Sequence, residues 1–317
     1  MRRLFLLCGL SFALSAAAQS FPTKPIRLVL PFGPGGVADI TARTVAPKLS
    51  EGLGQQVVIE NRPSAGGIVA AQEVARADPD GHTLLLVSNG TAVSSALFKS
   101  LPYDPERDFA MISTVSFFAL VMVTDPKSPL KGVQDFVAAA KKSPGKLNVG
   151  TIGIGSTQHL AAELFKSVTG TDFQIVPYKS TGEVVTAAKS GDAAVIFEFL
   201  APMTSHIRSG NLRPLAVTVA KRFPTVPEVP TAIESGVAGY DVASWNGLAA
   251  PAKTPRAVID RIQQEVAKAL ASPDVQKRYA ELGVEGRAST PEELRKFFAA
   301  ESQRWTQVVE RAKIPKQ

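Results

Sequence analysis

Cysteine is almost absent: the 317 residues hold one, Cys8. It lies inside the leading apolar run, so the chain beyond has no disulfide staple, no cysteine metal ligand and no thiol nucleophile. A fold without staples must stand on its core, and about 300 residues supply enough for two ordinary domains. Long hydrophobic runs are missing as well. After the leader, no stretch approaches the roughly 18 apolar residues of a membrane helix. Only four tyrosines and two tryptophans accompany the basic residues. Those basic residues are scattered and form no stripe, which argues against nucleic acid as a partner. The three histidines, His82, His159 and His206, are unclustered and offer no metal site.

What is present begins with a leader. Arg2 and Arg3 precede the short apolar stretch LFLLCGLSFAL, and SAAAQ follows with Ala16 and Ala18 in the small positions of a cleavage site. Residues 1–18 read as a secretory signal peptide cut near Ala18, which places the mature protein in a bacterial periplasm. The apolar core is too short for a stable anchor. Cys8 comes too early in it to be a lipidation site. The formal net charge of +7 falls to +5 once Arg2 and Arg3 leave. A mild positive field helps to collect small anions, but a solubilising surface accounts for it equally well.

Short, nearly continuous apolar runs read as strands at 26–30, 56–60, 83–88, 120–124, 147–151, 173–178, 193–198 and 214–218. Continuous rather than alternating runs point to strands buried on both faces, as in parallel sheets. Helical periodicity lies between them, at 37–51, 67–77, 132–142, 157–169, 182–190 and 201–210. The alternation predicts an α/β architecture with right-handed crossovers. Pro47 interrupts the first helix and predicts a kink. After Pro224 a stretch rich in proline and glycine reads as ordered loop. From Thr254 onward the chain is helical, with Thr254 and Thr290 as N-caps ahead of Pro255 and Pro291. These terminal helices are expected to pack across the first domain.

Two glycine-rich turns stand out, in LPFGPGGVADITAR (30–43) and VGTIGIGSTQHLAAELF (149–165). Each ends a strand and opens a helix. The first amides of a helix have no internal partner and carry the positive end of its dipole. Glycines clear side chains away from those donors, so each turn suits an anion. Ser156 and Thr157 add hydroxyls to the second. Neither turn spells a dinucleotide fingerprint, and no phosphate-loop motif occurs. Tight connections without a ligand remain open for one turn alone. Two similar turns, one per half, favour a cleft between halves. Ser156 and His159 lie three apart, but no acid is evident to orient the histidine and no nucleophile elbow occurs, so catalytic residues are not expected.

The chain resembles the substrate-binding proteins of tripartite tricarboxylate transporters, the Bug-type periplasmic receptors. The matching stretches include PFGPGGVADITAR, VVIENRPSAGGIVAAQEVARADPDGHTLLLVS, LPYDPERDF, GTIGIGSTQHLAAELF, VPYKSTGEVV, VPTAIESG and WNGLAAPAKTP, and they cover nearly the whole mature chain. The resemblance implies a two-lobed type II periplasmic-binding-protein fold, each lobe a mainly parallel sheet flanked by helices. Lobe 1 would comprise 22–124 plus 200–317, and lobe 2 would be 125–199. A carboxylate, whether a di- or tricarboxylate, an amino acid or an aromatic acid, would be held in the interlobe cleft by backbone amides and bridging waters. Carried over by motif, the contacts are Phe32, Gly33, Gly35 and Gly36 in the first loop. Gly153, Gly155, Ser156, Thr157 and His159 form the second, with Ser88, Asn89 and Thr91 beside them. Asp39 belongs to the family's G-G-x-x-D pattern and reads as a structural cap. Glu198 stands where the family commonly has aspartate, and is either a ligand contact or a hinge or salt-bridge residue. Trp245, with Phe117 and Phe118, either walls the cleft or belongs to the core. The implied role is delivery of the acid to integral-membrane permease subunits, by a monomer without cofactor. A sensor signalling to a membrane kinase is the alternative, followed by an exported hydrolase or isomerase.

Overall fold

The computed structural model describes residues 21–317; the expected signal peptide, 1–18, lies outside the described residues. Ile26, Leu28, Val29 and Leu30 of β1 (Ile26–Leu30) are all buried, as a strand covered on both faces requires. α1 (Val37–Leu53) follows and runs through Pro47. Then come β2 (Val57–Asn61), α2 (Ile68–Ala75), β3 (Thr83–Ser88) and α3 (Asn89–Leu97). The long β4 (Phe109–Thr124) leads into the second half. That half continues with α4 (Val133–Lys142), β5 (Asn148–Ile152), α5 (Thr157–Thr169), β6 (Gln174–Tyr178), α6 (Thr181–Ser190), β7 (Val195–Phe199), α7 (Leu200–Arg208) and β8 (Arg213–Val217). The chain closes with β9 (Ala243–Pro251), α8 (Arg256–Ala271), α9 (Pro273–Glu281), β10 (Val284–Glu285) and α10 (Pro291–Arg311).

The strand path is β2-β1-β3-β9-β4-β7-β5-β6, with β8 and β10 also paired to β4. The two ends of this path repeat one plan. In the first half β1 lies between β2 and β3, all parallel; in the second β5 lies between β6 and β7, again all parallel. Antiparallel strands join the two blocks. β9 pairs with β3 on one side and with Phe109–Ala119 of β4 on the other. The last residues of β4, from Leu120, turn to β7 and β8. One strand thus carries the chain from one half into the other. In sheets of this kind ligands bind beyond the carboxyl ends of the strands, where the strand order reverses. That rule points to the turns after β1 and β5.

Some expectations change. β9, read as loop, is a strand between β3 and β4, near the middle of the whole path. Its sequence, ASWNGLAAP, has weak strand propensity, but it is paired along both edges. β4 begins at Phe109 rather than near 120. α3, NGTAVSSAL, was not signalled by periodicity. Thr254 is not a cap: α8 starts after Pro255, and the Thr254 hydroxyl has no partner. Thr290 does cap α10, accepting from the Glu293 amide at 3.2 Å. α8 packs on α1 and β4, as expected of the first half, whereas α10 packs on α3 and β4 and also reaches α5. Trp245 is core: fully buried, edge-on to Phe297 and donating from Nε1 to Glu301 at 3.2 Å. His82 is buried and accepts the Thr23 amide at 3.1 Å.

Candidate functional site

The two glycine-rich turns are built by one device. In the first, Gly35 has φ +83° and its amide donates to Asp39 Oδ2, four residues on, at 2.9 Å. In the second, Gly155 has φ +80° and its amide donates to His159 Nδ1, again four residues on, at 3.4 Å. Positive φ is what glycine supplies without strain. The side chain one helical turn later locks the loop onto its helix.

The braces differ in charge. Asp39 is buried, which by itself would raise its carboxyl. The Arg43 guanidinium at 3.0 Å, the Gly35 amide and Asn61 Nδ2 at 2.9 Å outweigh this and hold it below the usual carboxylate range. Asn61 also donates to the Phe32 carbonyl at 3.0 Å, tying the loop to β2. Asp39→Ala leaves the Gly35 amide and Asn61 without this acceptor. The expected loss is about 2 kcal/mol, read as a lower denaturant midpoint at unchanged slope.

His159 is neutral. Burial, helped by the charge of Lys166, pushes its imidazole down from 6.5 to about 4. An unprotonated Nδ1 is what the Gly155 amide requires. Because the folded value lies below the unfolded one, this contribution is fully present above pH 6.5 and is lost as pH falls through about 4. Over that span it amounts to about 3 kcal/mol. The stability of His159→Gln should lack this acid slope; an identical pH profile would remove His159 from the account.

Ser156 closes the second turn. Its hydroxyl donates to the Ile152 carbonyl at 2.7 Å and accepts the His159 amide at 3.1 Å. The Ser156 proton and the His159 ring nitrogen are therefore each engaged with backbone, not with one another. Gly153 donates its amide to Tyr178 at 3.1 Å. Gly33, Gly35 and Gly36 have open space where a side chain would stand.

These loops border a cleft of about 200 Å³. Of the residues expected at the site, Phe32, Ser88, Thr91, Gly155 and Ser156 line it. Ser88 ends β3, and its amide donates to Thr91 Oγ1 in the first turn of α3 at 3.3 Å. Asn89 and Thr157 meet where the halves touch. Asn89 Nδ2 is 3.4 Å from Thr157 Oγ1, which is 3.2 Å from Ser244 on β9. Gly33, Gly35, Gly36 and Gly153 complete the two turns without lining the cleft.

Glu198 is buried and does not line the cleft. Its Oε1 accepts from Gln158 at 2.8 Å and from the Phe199 amide at 2.7 Å, and Oε2 accepts from Thr181 at 3.0 Å. Those donors belong to the starts of α5, α7 and α6. One buried carboxyl therefore gathers three helix N-termini. Burial pushes it above the usual range, and the three hydrogen bonds only partly oppose this.

The cleft also takes in residues that sequence reasoning passed over: Ser64–Gly67, Leu97, Phe98, Ile154 and Gln317. The glycine pair of PSAGGIVAA, with Gly66 and Gly67 both at positive φ, was a readable signal: a third strand-to-helix turn. Gln317 offered none. It arrives by pairing with the end of α3, its amide on Leu97 O at 2.8 Å and its carbonyl on the Lys99 amide at 3.0 Å.

Comparison with known proteins places this geometry. The family model described as the tripartite tricarboxylate transporter family receptor matches residues 41–314. Protein BugT of Bordetella pertussis is 36% identical over 316 residues, covering 98% of this chain and 97% of BugT. The solved structure of R. palustris Rpa4515 with adipate is 34% identical at a TM-score of 0.83, covering 94% of this chain and all of that one. MatC from Rhodopseudomonas palustris, with bound malate, is 32% identical at a TM-score of 0.77, covering 91% of this chain and 100% of its own. No helix among the described residues is long and apolar enough to cross a membrane. The chain belongs to the tripartite tricarboxylate transporter receptor family of periplasmic solute-binding proteins.

Proposed function

We propose that this chain captures a small carboxylate between the turn after β1 and the turn after β5 and delivers it to the integral-membrane permease of its transporter. The observation that carries the reading is convergence. The turns that open α1, α2, α3 and α5 border one cleft, and no lysine, arginine or histidine among the described residues lines it. A carboxylate there meets helix-start amides and hydroxyls rather than a counter-cation. Phe32, Gly33, Gly35, Gly36, Ser88, Thr91 and Ser156 supply the loops that hold it, with Asn89 and Thr157 at the seam. His159 braces the second loop, and Glu198 positions the helices behind it. The halves close about crossings near Thr124 and Phe199, between lobe 1 (22–124 plus 200–317) and lobe 2 (125–199). Closure excludes water and strengthens each hydrogen bond.

No reaction is needed for this role. The Ser156 hydroxyl and the His159 ring, the pair most suggestive of nucleophilic catalysis, serve the loop instead. We place the working protein in the periplasm as a monomer, with residues 1–18 removed near Ala18.

Thermal unfolding of residues 19–317, stripped of ligand by unfolding and refolding, tests the reading. An acid that binds only the folded state raises the melting temperature by mass action. One or more carboxylates should do so, and Ser156→Tyr and Gly35→Val should abolish the shift. No shift across a broad panel of acids would contradict the proposal.

A further inference from the structure

Resting on the carboxylate reading above, we infer that this chain takes a monocarboxylic acid with a compact apolar body, in preference to di- and tricarboxylates. The cleft has two unlike poles. At one, Ser88, Thr91 and Ser156 stand at the starts of α3 and α5, neither of which has an acidic residue in its first turn. Their first amides have no intrahelical partner. One carboxylate belongs there.

The other pole is apolar. Phe32, Leu97, Phe98 and Ile154 line it. Phe32 is 36% exposed and Ile154 54% exposed, and they stand on the two glycine-rich turns, one from each half. Large apolar side chains left open at a rim are covered when something apolar lies between them. A second carboxylate would be buried against these four side chains with no cation among the lining residues, which is unfavourable. Such a preference would set the chain apart from the relatives solved with adipate and with malate.

Titration calorimetry on ligand-stripped residues 19–317 decides it. The probes are benzoate and hexanoate against succinate and citrate, with benzamide as the uncharged twin of benzoate. Benzoate or hexanoate should bind at least ~100-fold tighter than succinate and citrate, because only the latter bury an unpaired charge. Ile154→Lys puts a cation on the rim at an exposed position that tolerates it. It should weaken benzoate and improve succinate about tenfold. Succinate or citrate binding as tightly as the apolar acids would overturn this inference and leave the carboxylate reading standing. An unchanged preference in Ile154→Lys would likewise overturn it. Benzamide equal to benzoate, or no binding by any acid, would overturn both.

Discussion

Gly155→Val loses more than ~100-fold in affinity for the captured acid while the protein stays folded, a cost of about 3 kcal/mol in binding. Two causes add. Gly155 holds φ +80°, and a β-branched residue there is a backbone outlier, costing on the order of 1–3 kcal/mol. A Cβ at this position would also stand 2.7 Å from Leu97 Cδ1. Leu97 is buried at the end of α3, so it has little room to turn away. That contact crosses the cleft from the second half to the first. Strain is therefore relieved by holding the halves apart or by moving the loop that carries Ser156. Either way the helix-start amides no longer meet on one ligand. Calorimetry against the best-binding acid, with circular dichroism to confirm the fold, measures this. Wild-type affinity in a folded Gly155→Val protein would show that the second turn does not contact ligand.

Glu198 gives the second large effect. Glu198→Ala strips the acceptor from Gln158, Thr181 and the Phe199 amide at once and leaves a void among three helix starts. The expected destabilisation is about 3 kcal/mol. Glu198→Gln separates charge from shape. Burial raises the folded pKa of Glu198 above its ordinary 4.5. A carboxyl raised in this way stabilises fully below pH 4.5, and the contribution is lost as pH rises through the folded value. The stability of wild type relative to Glu198→Gln should therefore fall with rising pH, opposite in sign to the His159 slope. Denaturant titrations across the acid to neutral range read both slopes. As a positioning residue, Glu198 should on replacement by glutamine change affinity for all acids by a similar factor. A loss confined to ligands bearing an amino or hydroxyl group would make Glu198 a direct contact instead.

Much of the fold was legible because β1 and β3 are buried on both faces. IRLVL and TLLLVS announce themselves as apolar runs, and the glycines after IRLVL mark where the helix must start. The central strands were not legible for a physical reason. β9 carries Ser, Asn, Gly, Ala and Pro, and what holds it extended is pairing along both edges and the packing of Trp245 on Phe297 and Phe298. α3 dilutes two alanines and a leucine with Asn, Gly, Thr, Val and two serines, and it rests against α10. The site divides along the same line. Turns that end a strand and open a helix could be found by their glycines; Phe32, Ser88, Thr91, Gly155 and Ser156 came from the family resemblance laid on those turns and on the end of β3. Leu97, Phe98 and Gln317 reach the cleft only because α3 runs past it and the tail pairs with its end. No local pattern encodes that meeting. Trp245 shows the converse. Its SWNG setting looked like a loop at a hinge, yet it is buried core, because the segment is a strand.

The central claim is that one acid is held by both halves at once. Beyond Cys8 the chain has no cysteine, so two introduced thiols are the only label sites in residues 19–317. Val69 on α2 and Val168 on α5 are exposed, one in each half, and cysteine is a small change at either. Spin labels at Val69→Cys and Val168→Cys report the distance between halves by pulsed electron resonance. Saturating acid should shorten the distance and narrow its distribution, and Gly155→Val should abolish that response. A distribution unmoved by an acid that calorimetry shows to be bound would contradict capture between the two turns.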